Sequence, residues 1–141
     1  MLFSNSQNSK GQVPSSAANL QPNHFRFPII VHSHLSWDWV WQRPQQFLSR
    51  LSRRHRVLFV ETHTDNPHLV CASAEARPAQ DYPNLTILRL HLPPSSSQDR
   101  AWVDQESRRL VQAALAGPLA GAFERPVQWF YDPMAVTAFA G

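Results

Sequence analysis

Four short apolar runs divide the chain and predict the strands of one sheet, at residues 27–31, 56–61, 84–92 and 126–131. The first two runs are continuous and rich in β-branched residues, which is typical of strands buried on both faces of a parallel sheet. The third run alternates imperfectly, which favours an edge strand. Residues 62–83 contain three prolines and predict an irregular connection.

Two segments have the apolar spacing of helices. The first begins near Pro44, because proline fits only the first turn of a helix, and runs to about Arg54. Its predicted apolar face holds Phe47, Leu48 and Leu51. The second runs from about residue 100 to residue 116, is capped by Ser97 or Asp99, and ends at Gly117-Pro118. Its predicted apolar stripe consists of Val103, Leu110, Val111, Ala114 and Leu115.

The predicted order is therefore β-α-β-β-α-β. This order fits half of a doubly wound sheet, and it also fits a ferredoxin-like split βαβ unit. Long continuous apolar strands favour the first alternative. We expect an α/β fold with a Rossmann-like parallel sheet and flanking helices.

In open α/β sheets, ligands bind beyond the carboxyl ends of the strands. This rule selects polar residues that follow the first, second and fourth predicted strands, which are His32, Ser33, His34, Glu61, Thr62, His63, Tyr131 and Asp132. Their imidazoles, hydroxyls and carboxylates suit a polyhydroxylated ligand. For each histidine, a loop residue bonded to backbone is an equally good interpretation.

Trp37, Trp39 and Trp41 would lie on one side of an extended segment. Indole rings stack on sugars, but packing against the sheet edge or the helix start is the better interpretation for at least two of the three. Asp38 could cap local backbone amides. Arg43 could bind an anionic group or pair with Asp38.

The absence of several sequence motifs argues against several classes of site. Glycine-rich phosphate loops and a nucleophile elbow are absent from the sequence, and no histidine or cysteine spacing indicates a metal. We therefore expect no metal and no cofactor. Of 13 Lys and Arg residues all but Lys10 are Arg, but no basic stripe alternates with aromatic residues, so we expect no nucleic-acid partner.

The first 24 residues are polar and rich in Ser, Asn and Gln, which predicts a flexible leader and no signal peptide. Cys71 is the only cysteine, which fits a reducing compartment. The expected location is therefore the cytoplasm. The sequence leaves peripheral contact with a membrane open.

The segment from His34 to Leu51 resembles the opening of bacterial glycosyltransferases of the GT-B fold. A Trp-Asp segment leads into Gln42-Arg43-Pro44-Gln45 and then into an Arg-containing helix. Residues 56–61 and 129–135 are similar to the second and fourth strand segments of that pattern. The sequence departs from the pattern at Gln46, where the family usually has His, and at Asp132, where it often has Thr.

This resemblance implies a two-domain enzyme that transfers a sugar from a nucleotide-sugar donor to a carbohydrate or lipid-linked acceptor. Residues 25–141 would be part of the N-terminal, acceptor-side domain, the incomplete first half of the GT-B fold. The donor would be bound by a C-terminal domain, so we expect the chain to be inactive alone. Candidate acceptor-cleft residues are His32, Ser33, His34, Trp37, Asp38, Arg43, Glu61, His63, Tyr131 and Asp132.

A second hypothesis is a non-catalytic module that binds carbohydrate or a partner through the tryptophan segment. An unfinished sheet would also expose an edge and an apolar face, which predicts aggregation or pairing with another chain.

Overall fold

A computed structural model describes residues 27–94 and 99–140. The predicted leader and the alternative cap Ser97 lie outside these residues. The elements in chain order are β1 (Ile29–Ser33), α1 (Arg43–Leu51), β2 (Val57–Glu61), β3 (Thr64–Asp65), β4 (Ser73–Ala79), β5 (Tyr82–Leu92), α2 (Arg100–Ala116), β6 (Val127–Phe130) and α3 (Ala135–Phe139).

The sheet is mostly parallel, and β1 lies between β2 and the edge strand β6. Strand β1 pairs in parallel with β2 on one side and with β6 on the other, while β2 pairs in parallel with β5. The parallel strands therefore lie in the order β5-β2-β1-β6. Since a ferredoxin-like sheet is antiparallel, this order settles the choice between the two predicted topologies in favour of the Rossmann-like one.

Alternation along the strands divides the core into two layers. Ile29, Val31 and Phe59 pack with Leu48 of α1 on one face. Ile30 and Leu58 pack with residues of α2 on the other face, and these are Val103, Leu110, Val111 and Ala114. The helices therefore cover opposite faces, as expected when residues i and i+2 of a strand point to the same side.

The region between β2 and β5 differs from its prediction. Residues 62–83 are not irregular, because they contain β3 and β4. Strand β4 runs antiparallel to β5, and β3 pairs with the last two residues of β5. His91 thus faces Thr64 on one side and Ser73 on the other, so β5 is not an edge strand. Most of β4 is exposed, and without a buried face it has no apolar alternation to reveal it.

The predicted helices are present, although the buried face of α1 differs from its prediction. Helix α2 has the predicted bounds, and Asp99 caps it by accepting hydrogen bonds from the backbone N–H groups of Ala101 and Trp102. In α1, Leu48 is buried, but Phe47 is exposed and contacts the ring edge of Trp129. The buried positions of α1 instead include Pro44 and Gln45.

Candidate functional site

A cavity of about 210 Å³ lies beyond the carboxyl ends of β1 and β2, between the sheet and helices α2 and α3. We call it the main cavity. It lies on the α2 face, and Asp132, which follows β6, also lines it. The connection that follows β1 crosses one face of the sheet through α1, and the connection that leads into β6 crosses the other face through α2. The neighbouring strands β1 and β6 therefore flank a switch point, which is where open α/β sheets bind ligands.

Half of the ten sequence-predicted site residues line the main cavity, namely His32, Ser33, Glu61, His63 and Asp132. Thr62, also selected by the strand-end rule, lines it too. The carboxyl-end rule succeeds here because parallel strands end at one edge of the sheet, so residues far apart in sequence meet there.

The prediction missed the wall that the helices contribute. Arg100, Asp104 and Ser107 lie on successive turns of α2 and face the cavity, and Met134 and Phe139 close it from the α3 side. The spacing of Arg100, Asp104 and Ser107 on one helical face was visible in the sequence. Their approach to β1 was not, because it depends on how α2 packs on the sheet.

Side chains of α2 fasten α3 over the main cavity. Arg100 donates hydrogen bonds to the Asp104 carboxylate at 2.9 Å and to the Met134 carbonyl at 2.7 Å. The Thr137 hydroxyl donates to the other Asp104 oxygen at 2.9 Å. Arg108 donates to the carbonyl of Ala138. A five-residue helix is too short to be stable alone, so these bonds fix its position.

Glu61 is a buried carboxylate with every oxygen in use. One oxygen accepts hydrogen bonds from the Trp37 backbone N–H at 2.8 Å and from the Ser36 hydroxyl at 3.1 Å. The other accepts from Arg89 Nε at 2.7 Å, and this bond raises the pKa of the Arg89 guanidinium. Glu61 therefore anchors the turn after β1, and its oxygens are not available to act as a base.

A second opening lies on the α1 face of the same sheet edge, where Glu61 and Thr62 separate it from the main cavity. Its volume is about 520 Å³. We call it the Trp39 groove, and its lining consists of His34, Ser36, Trp39, Glu61, Thr62, Thr64, Arg89 and His91. The predicted site residues are therefore distributed over two clefts.

His32 is enclosed by aromatic side chains. Its ring stacks with those of Phe139 and Phe130, with centroid distances of 4.1 Å and 4.9 Å, and its Nε2 bonds the Gln128 side-chain oxygen at 2.8 Å. Nδ1 is buried without a partner among the described residues. Burial lowers the pKa of His32, although the Gln128 bond and the Asp132 charge oppose this effect. His32 is therefore neutral at pH 7, and its nitrogens are shielded from a ligand.

Asp132 is the cavity carboxylate with the fewest partners. One of its oxygens accepts the Met134 backbone N–H at 2.9 Å, and no cationic side chain of the described residues lies within ion-pair distance. Because it is only half-buried, its free oxygen can accept a hydrogen bond from a ligand.

Four predicted site residues line neither cleft, and these are Trp37, Asp38, Arg43 and Tyr131. Trp37 is buried and packs edge-on against Phe59, so it belongs to the core. Asp38 pairs with Arg77 and, at 3.7 Å, with Arg89, and no ion pair joins it to Arg43 within the described residues.

Arg43 and Tyr131 lie on the α1 face, outside both clefts. Burial raises the pKa of the Tyr131 hydroxyl, and the positive charge of Arg43 opposes this effect. Tyr131 stacks on Trp129 with ring centroids 5.6 Å apart.

The three tryptophans after β1 do not share one side, because their segment is a turn. Trp37 is buried, Trp41 stacks on Tyr82 and is 47% exposed, and Trp39 is 69% exposed. Packing thus accounts for Trp37 and Trp41, as the sequence interpretation favoured for two of the three.

Comparison of the chain with protein-family models, with curated proteins and with solved structures returned no significant match. Within residues 27–94 and 99–140, no helix combines the length and the hydrophobicity needed to cross a membrane. In the same residues, no group of three or more His, Cys, Asp or Glu side chains is arranged to hold a metal ion.

Proposed function

We propose that this chain is the acceptor-side domain of a GT-B glycosyltransferase and that the main cavity binds a hydroxyl-bearing acceptor. The donor nucleotide sugar would be bound by a separate C-terminal domain, and a cytoplasmic location would fit the single cysteine. The observation that carries the proposal is a cavity with mixed polar and apolar lining at the switch point of a Rossmann-like sheet, which is the position where this architecture binds ligands. The resemblance of residues 34–51 to the family supplies the reaction class.

The charge of the main cavity favours a neutral acceptor over a phosphate. The acidic residues that line it are Glu61, Asp104 and Asp132, against one guanidinium, that of Arg100. The Glu61 carboxylate itself is turned to the opposite face of the sheet. Glu61 is neutralised by Arg89 and Asp104 by Arg100, which leaves Asp132 in excess. A phosphate would be repelled, whereas sugar hydroxyls can donate to Asp132 and bond the hydroxyls of Ser107 and Thr62.

Asp132 is the group best placed to receive the proton of an acceptor hydroxyl. It follows β6 at the switch point, and within the described residues its second oxygen has no bond and no cationic side chain lies within ion-pair distance. In a transfer reaction, the acceptor oxygen would form a bond to the anomeric carbon of the donor sugar while the hydroxyl proton passes to Asp132 and the nucleoside diphosphate leaves.

Binding measured on the purified chain tests the proposal. We would titrate ¹⁵N-labelled protein with cellobiose, chitobiose, maltose and octyl glucoside, the last as a soluble substitute for a lipid-linked acceptor. At least one should shift the backbone signals of Thr62, Ser107 and Asp132. No shift at these residues with any of the four would overturn the proposal.

Two variants sharpen the test. Asp132→Asn keeps the turn, because an amide oxygen still accepts the Met134 N–H, but it should weaken saccharide binding about tenfold, since bonds to a charged acceptor contribute about 1.5–3 kcal/mol. Glu124→Gln makes the same chemical change at an exposed site outside both clefts and should leave affinity unchanged. Equal affinity of Asp132→Asn and the unaltered chain would contradict the role of Asp132.

Incubation with radiolabelled nucleotide sugars provides the complementary measurement. We expect no transfer by this chain alone, because the proposal assigns donor binding to the other domain. Measurable transfer would show that the assignment of donor and acceptor sides is wrong.

A further inference from the structure

The side chain of Trp39 is exposed although the turn that carries it is tightly held. It is the most exposed of the five tryptophans, and its ring makes no contact with another aromatic ring of the described residues. The buried amide of Gln45 donates to the carbonyl of Val40 at 3.2 Å and to those of Ser36 and Trp37 at 3.4 Å. Glu61 binds the same turn from the sheet.

This arrangement pre-organises an indole for binding. A side chain on a fixed turn loses less conformational entropy when a ligand arrives than one on a loose loop. An indole presents a flat apolar surface and one N–H donor, which together suit the apolar face and the hydroxyl rim of a sugar ring.

The other groups in the Trp39 groove are polar and electrically balanced. Glu61 and Arg89 form an ion pair across its floor, and Asp38 beside it is paired with Arg77 and Arg89. Thr62, Thr64, His34 and His91 add hydroxyls and imidazoles from three separate segments. A groove without excess positive charge does not select phosphate, but its donors and acceptors can bind a ring of hydroxyls.

We propose that the Trp39 groove is a second saccharide subsite, which binds a neutral sugar ring stacked on Trp39. Resting on the proposed function, this makes the acceptor an oligosaccharide that extends past Glu61 and Thr62, with one sugar in the main cavity and the next in the groove. The common wall formed by these two residues brings the clefts within reach of a single ligand.

The indole N–H signals of ¹⁵N-tryptophan-labelled protein test this directly, since each tryptophan gives one signal. Trp39→Phe assigns the Trp39 signal. We would titrate cellotriose, chitotriose and maltotriose. At least one should shift the Trp39 signal and leave that of buried Trp37 unmoved. If all signals move together, or if Trp39 does not move, the subsite is wrong.

Affinities separate this proposal from the proposed function. Trp39→Ala should weaken trisaccharide binding about tenfold and leave monosaccharide binding unchanged, while Trp39→Phe retains most of the affinity. Asp132→Asn should weaken the binding of both the trisaccharide and the monosaccharide. Phe47→Ala removes another exposed aromatic ring, one that lines neither cleft, and should change neither affinity.

Each outcome has a distinct meaning. If Asp132→Asn weakens binding but Trp39→Ala does not, the acceptor proposal stands and the second subsite fails. If only Trp39→Ala weakens binding, the groove binds sugar and the main cavity is not the acceptor site. Displacement of the trisaccharide from Trp39 by inorganic pyrophosphate would overturn the assignment to a neutral ligand.

Discussion

The main cavity and the Trp39 groove lie on opposite faces of the same sheet edge, yet they differ in chemistry. The main cavity is closed by α2 and α3 and contains Asp132, a carboxylate with no ion pair among the described residues. The groove is open at an exposed tryptophan, and its charges are paired. Strand alternation produces the difference, because His32 faces α3 while Glu61 faces the turn that carries Trp39. Two distinct clefts thus arise from one row of strand ends.

The largest effect is expected at Glu61, the residue that both clefts share. Glu61→Gln removes the buried charge, leaves Arg89 with only its longer ion pair to Asp38 and places an amide N–H₂ against a donor. We expect the free energy of unfolding to fall by about 2–3 kcal/mol, less than the roughly 3–5 kcal/mol lost when a fully buried pair is broken, because Arg89 is partly exposed. Urea denaturation measures this loss, and both clefts should lose saccharide binding.

Glu75→Gln is the control for Glu61, since Glu75 is an exposed carboxylate that lines neither cleft. It should change stability by less than about 0.5 kcal/mol. If Glu61→Gln lowers the free energy of unfolding as little as Glu75→Gln does, the two clefts do not depend on Glu61 as a common anchor.

A smaller effect, restricted to the groove, is expected at Gln45. Gln45→Ala removes the amide that binds three carbonyls of the Trp39 turn and should cost about 1–3 kcal/mol of stability. Trisaccharide affinity should fall while monosaccharide affinity in the main cavity persists. Gln46→Ala, at the exposed neighbouring position, is the matched control and should leave stability and both affinities unchanged. Loss of binding in both clefts would contradict their independence.

The smallest expected effect is a pH dependence of the free energy of unfolding that arises from His32 in the main cavity. Burial lowers the pKa of His32 in the folded protein, so on acidification the unfolded chain takes up this proton first. His32 should therefore make stability fall as pH drops below about 6.5, by less than about 1 kcal/mol between pH 7.5 and 6. Urea denaturation at each pH measures it.

His32→Asn should flatten this part of the pH profile, and the same change at exposed His68 should not. An unchanged profile in His32→Asn would show that His32 does not remain neutral in the folded protein.

Local patterns were sufficient where burial repeats regularly. The approximate bounds predicted for helix α2 agree with the structure, because a capping Asp99, an apolar stripe and Gly117 act within a few residues of one another. The central strands were placed within about two residues, because burial on both faces makes them continuously apolar. Strand β4 was missed because it is exposed, and its pairing depends on β5 rather than on its own composition.

The resemblance segment shows the limit of reading function from a motif. In Gln42-Arg43-Pro44-Gln45, Pro44 is buried at the start of α1, and Gln45 binds the preceding turn. At least part of this segment therefore has a structural role, since it positions the turn that carries Trp39. Asp132, a departure from the same pattern, is more accessible than the buried carboxylate of Glu61.

The sequence by itself determined four strands and the two longer helices, the parallel character of the sheet and the edge at which polar residues collect, because each follows from local periodicity and strand direction. Only the tertiary structure decided which of those residues share a cleft, that Glu61 and His32 are held inside while Asp132 and Trp39 are open, and that α2 completes the main cavity. The physical reason is that burial, pairing of charges and the approach of a helix to a sheet depend on residues distant in the chain, and no local pattern records them.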